Sequence, residues 1–159
     1  MIVGAGFALT SLIYTAVNIN AINEQKVAEI SRAEQIYSAE FVKAWYSSEM
    51  KEYNVKVREF ISRLRKSTEE KEKDTILQEL RNNHDSFMSL LSVLNLFEHV
   101  AQDIDFELAD EDYLKAFFRS IVATYYHGFM PLVQKVRTDM RSERLFCRFE
   151  AMAKRWDQK

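Results

Sequence analysis

Charged side chains are missing from the start of the chain and then return with a helical period. From Met1 to Asn23 there is no charged residue, and the uncharged run 2–22 is 21 residues long. As a helix it would extend about 30 Å, the thickness of a bilayer's hydrocarbon core. Gly4, Gly6, Thr10, Ser11 and Thr15 dilute its hydrophobicity. No basic residue precedes it, no small-x-small cleavage site follows, and no polar face shows before Asn18. A membrane anchor over 1–23 therefore fits better than a signal peptide or a core helix. Within it, Gly4 with Ala8 and Gly6 with Thr10 have the small-x-x-x-small spacing that lets two helices approach closely.

Past Asn23 the pattern becomes amphipathic without a turn signal. Ile22, Ile30, Ala33, Tyr37, Phe41 and Ala44 share one side, with Trp45 beside them, so the helix is predicted to run on over 24–46. Ser47-Ser48 is the first stop. Met50, Tyr53, Val57, Phe60, Ile61 and Leu64 then mark a second amphipathic helix. Ser67 and Glu70 have capping-box spacing for a short charged helix to about Arg81. A third break at Asn82-Asn83-His84 opens the most apolar helix, 85–103, expected at the centre of the core. After an acidic connection, Asp110 is the predicted N-cap of a helix ending near His127-Gly128. Pro131 suits the first turn of a new one. The apolar phase then changes: Leu132, Val133, Val136 and Met140 point one way, Leu145, Phe149, Met152 and Trp156 another. A break near Arg141-Ser142, with Ser142 capping, accounts for it.

The expected fold is thus all-α: an N-terminal transmembrane helix continuing into an amphipathic helix, then a five- to six-helix bundle over 47–159. Three Gly and one Pro in 159 residues agree with long helices and short connections. Lys26 and Arg32 follow the anchor and no basic residue precedes it. The positive-inside rule then places the N-terminus outside and the helical domain on the cytoplasmic side of the inner membrane.

Charge adds an asymmetry that the net value of −2 hides. Residues 69–112 carry three Lys/Arg against thirteen Asp/Glu, and residues 113–159 carry ten against four. The two regions either neutralise each other or leave one to face a charged partner. The single cysteine, Cys147, excludes an internal disulfide and a multi-thiolate zinc site.

Candidate chemistry is sparse. Glu98 projects from the apolar arc of its helix, where a carboxylate needs a partner. Arg119 and Arg137 are the candidates, and a general acid or base is the functional alternative, using Asn95, His99 or an arginine beside it. His84, His99 and His127 have no metal-ligand spacing, and no phosphate-cradling glycine loop or G-x-S-x-G occurs. No cofactor is expected. Arg137, Arg141, Arg144, Arg148 and Arg155 would form a basic stripe on one continuous helix, but Asp139, Glu143 and Glu150 interleave with it. Phosphate or nucleic acid is the reading with least support.

Several features together carry a resemblance. An uncharged segment leads into an amphipathic helix ending in Ala44-Trp45; a central helix carries Leu94-Asn95-Leu96-Phe97-Glu98; an acidic spacer, Tyr125-Tyr126, Pro131 and Arg137 follow. The chain resembles an uncharacterised bacterial family of small membrane-anchored helical proteins, known as a domain of unknown function. The resemblance implies the topology above and a cluster of Asn95, Glu98, Tyr126 and Arg137. It also implies an origin in mobile or phage-related regions, hence a role in defence or exclusion. It supplies no reaction. The function expected is a membrane-tethered adaptor or regulatory subunit that binds a protein partner, or itself. A membrane-acting effector and an enzyme using Glu98 are the alternatives.

Overall fold

A computed structural model describes the backbone of residues 3–158 and the side chains of residues 18–158. Six helices follow one another: α1 (Val3–Trp45), α2 (Ser48–Lys66), α3 (Glu70–Asn82), α4 (His84–Asp105), α5 (Glu111–Met140) and α6 (Cys147–Asp157). No strand occurs among the described residues.

The connections are short because side chains end and restart the helices at once. Ser47 caps α2 by accepting from the Met50 amide at 3.1 Å, and Asn83 caps α4 by accepting from Ser86 at 3.1 Å. Asp110 caps α5 through the Tyr113 amide at 2.9 Å, as its position predicts. Ser67 departs from the capping-box reading. Its hydroxyl donates to Glu72 at 2.6 Å and Glu69 takes the N-cap position without a side-chain bond. Ser67 ends α2, so its backbone geometry belongs to the helix behind it.

Pro131 is the second departure. No helix starts there; α5 runs through it for 30 residues. The proline ring is exposed, while Phe129, Met130, Leu132 and Val133 around it are buried. Their burial outweighs the lost hydrogen bond and the local clash, about 3 kcal/mol. The phase change beyond it is a true break. Arg141 adopts a left-handed conformation (φ 50°), and the Ser142 amide bonds back to the Arg137 carbonyl at 3.0 Å. Ser142 does not cap α6, which starts five residues later behind Phe146.

The core is built around α4. Phe97 is its hub, with ring centroids of Trp45, Phe118, Tyr125 and Phe149 all 5.6–5.9 Å away. These come from α1, α5 and α6, so one side chain ties four helices. Three ion pairs join the acidic middle to the basic C-terminal third: Asp74–Lys135, Asp105–Arg148 and Glu111–Arg155.

Among the described residues, no helix is long and apolar enough to cross a membrane. The expected transmembrane helix, and with it the inner-membrane location, is corrected. From Asn18 onward α1 places Asn18, Asn20, Asn23, Glu24, Gln25 and Lys26 within nine positions, and such groups are costly in hydrocarbon. The rest of the expected anchor, with Gly4, Gly6, Ala8 and Thr10, lies outside the residues whose side chains are described.

Candidate functional site

Among the described residues of α1, the last turns are the ones fastened to the bundle. Ser38 is buried; its hydroxyl donates to the Glu34 carbonyl at 2.7 Å and accepts from the Asp110 amide at 2.8 Å. Tyr37 donates to Asp103 at 3.1 Å and Gln35 to Asp110 at 3.3 Å. Phe41, Val42 and Trp45 complete the seam against the core.

Above that seam the described residues of α1 are largely exposed. Ile19, Ile22, Val27, Ile30 and Ile36 are each half or more exposed. The positions Ile19, Ile22, Lys26, Ile30, Ala33, Tyr37, Phe41 and Ala44 follow one another at intervals of 3, 4, 4, 3, 4, 4 and 3. That eleven-residue repeat stays close to the 3.6-residue period and keeps one stripe on one side of a nearly straight helix. The stripe meets the packed seam at Phe41, and its upper end is bare. Covering the three half-exposed isoleucines of the stripe would contribute about 1 kcal/mol each. Lys26 is the one charge in it.

Where the bare stripe meets the bundle there is a notch of about 450 Å³, lined by Ile30, Ala33, Glu34, Tyr37, Glu107 and Leu108. The chain between α4 and α5 makes its far wall. Glu107 is held left-handed there (φ 56°), and Phe106 and Leu108 on either side are exposed. Arg148 lies over the Phe106 ring at 5.1 Å.

The residues expected to cluster around Glu98 do not all meet. Asn95 and Arg119 are exposed, and Arg119 lies on the outer face of α5 with Asp112 and Lys115. Tyr126 packs at the edge of Phe149. Arg137 pairs with Glu150 at 2.7 Å and donates to the Leu145 carbonyl at 2.8 Å, so it is taken by α6 and not by Glu98. Glu98 itself accepts from the backbone amides of Phe149 at 2.8 Å and Arg148 at 3.3 Å. It caps α6, whose own N-cap residue makes no side-chain bond. Both of its oxygens are occupied. The five arginines expected as a stripe divide likewise. Arg137, Arg148 and Arg155 pair with Glu150, Asp105 and Glu111, while Arg141 and Arg144 are exposed in the turn after α5.

Ile19, Val27, Ile36 and Leu108 escaped the sequence reading as site residues. The signal for Ile19 was present as an apolar stripe longer than the bundle can cover, but where the cover ends is a tertiary fact; Val27 and Ile36 lie off that stripe, and Leu108 lies in the connection after α4. No group of three or more His, Cys, Asp or Glu among the described residues is placed to hold a metal ion.

No curated protein and no solved structure matches the chain. Residues 3–156 match the family described as a domain of unknown function, DUF4760, and the chain belongs to that family.

Proposed function

We propose that this protein is a helical adaptor or regulatory subunit that takes an amphipathic helix of a partner protein along the free half of α1. The observation that carries the reading is the bare apolar stripe over residues 19–33, which runs down to meet the packed seam at Phe41. Apolar positions repeating at helical spacing and left bare beside a packed seam have the spacing that receives an amphipathic helix.

Charge narrows the partner. Glu29, Glu34 and Glu107 flank the stripe, whose one charge is Lys26, so basic flanks fit best. Lys26 within the stripe asks for a carboxylate opposite. A second copy in parallel register would set Lys26 against Lys26, which repels. A different protein is therefore the better occupant. Its helix would end against the notch at Glu107 and Leu108.

Photocrosslinking in cells tests this. A crosslinking residue at Ile22 or Ile30 should join one foreign peptide with an apolar face and basic flanks. The same residue at Ala28, on the opposite side, should not. Ile22→Glu combined with Ile30→Glu should abolish the link and change stability by less than about 0.5 kcal/mol per site, because both positions are exposed. Links only to the protein's own peptides, or equal links from both sides of α1, would overturn the proposal.

A further inference from the structure

A second concavity lies on the bundle itself, where α2, α3 and α5 meet. It encloses about 260 Å³. Ile61, Leu64, Leu77 and Pro131 give it an apolar floor. Gly128 keeps that floor open: a Cβ there would sit 3.8 Å from Leu64 Cδ1, and anything longer would enter the cavity.

The charged groups around it are neutralised, with one exception. Glu70 is held by Lys73 at 2.7 Å and Asp74 by Lys135 at 2.9 Å. His127 turns to Asp157 at 3.2 Å. Arg65 lines the same cavity and, among the described residues, has no carboxylate partner. It is nonetheless positioned. Its Nη2 donates to the Thr124 hydroxyl at 2.8 Å, and Thr124 gives its own proton to the Ser120 carbonyl at 2.9 Å. Thr124 is thereby fixed as an acceptor, and the remaining N–H groups of Arg65 are left for both oxygens of an anion.

We propose that this concavity binds a small apolar carboxylate, its anionic end on Arg65 and its body over Leu64, Leu77 and Pro131. The volume falls just below the roughly 300–1,000 Å³ of pockets for larger ligands, which limits the occupant to a ring-sized or short branched monoanion. A neutral or cationic body would leave Arg65 uncompensated. The site is separate from the α1 face, and neither proposal depends on the other.

Titration of the full-length, nitrogen-15-labelled protein tests it, with benzoate and isovalerate as probes and benzamide and benzylamine as neutral and cationic controls. The amides of Thr124, Gly128 and Leu77 should shift saturably with at least one carboxylate. The controls should bind at least about tenfold more weakly, the value of one charge-assisted pair. Arg65→Met keeps the apolar stem and should weaken carboxylate binding by at least about tenfold. Gly128→Leu should fill the floor and remove the shifts while the thermal midpoint shows a folded chain. Should that variant not fold, the exposed Arg65 still decides the matter. Absence of saturable shifts with both carboxylates, equal binding of the controls, or unchanged affinity in Arg65→Met would overturn the proposal.

Discussion

Glu98 replaces the side-chain cap that α6 lacks, so its removal acts on a helix about fifty residues away in sequence. Glu98→Ala should cost about 2 kcal/mol in urea unfolding, the upper range for a lost N-cap carboxylate, and Glu98→Gln about half that, since an acceptor remains. The oddity of Glu98 was legible in the sequence as a carboxylate on an apolar arc. Its partner was not, because backbone amides carry no sequence signature and an arginine was the obvious alternative. Two further carboxylates fasten α6. Lys154, and then Arg137 against the opposing effect of burial, hold the Glu150 carboxyl below the usual range. Burial pushes Glu111 up, but the hydrogen bonds from Arg155 and Trp156 together outweigh it and its pKa is lowered. Both folded values lie below the unfolded one, near 4.3. The stability they contribute is present above that pH and lost as pH falls through the folded values. The urea midpoint should therefore decline as pH drops below about 4.3. Replacing both Glu111 and Glu150 with Gln should flatten that decline.

At the scale of elements, the helices were legible because caps and apolar spacing agreed. Ser47, Asn83 and Asp110 each stand where a side-chain oxygen meets the amide three residues on. Pro131 was misread because a proline in mid-helix and one in a first turn look alike until burial on both sides is known. Ser67 was misread because it closes one helix three residues before the next. The end of α5 offers a direct check. Arg141 holds a left-handed conformation that costs an L-residue about 1 kcal/mol. Arg141→Gly should therefore raise stability by about 0.5–1 kcal/mol in thermal or urea unfolding. Arg141 is exposed and bonded only through its backbone turn, so no side-chain contact offsets the gain.

For the whole molecule, the division of α1 into a fastened half and a free half is what the sequence did not disclose. Its stripe runs unbroken from Ile19 to Ala44, and nothing in the spacing marks where the bundle ends. The absence of charge before Glu24 was read as a transmembrane anchor, whereas the described part of α1 is amphipathic and polar from Asn18. A helix held at one end and uncovered along its side is marginal in water, and a partner helix would stabilise it. Hydrogen exchange along α1 measures this directly, first on the chain alone and then with the partner segment that crosslinks to Ile22 or Ile30. The amides of residues 20–34 should exchange far faster than those of α4 around Phe97 in the chain alone, and slow by at least about a hundredfold when the segment is bound in large excess. Protection of residues 20–34 equal to that of α4 in the dilute chain alone, or no slowing on addition of the segment, would contradict the adaptor reading.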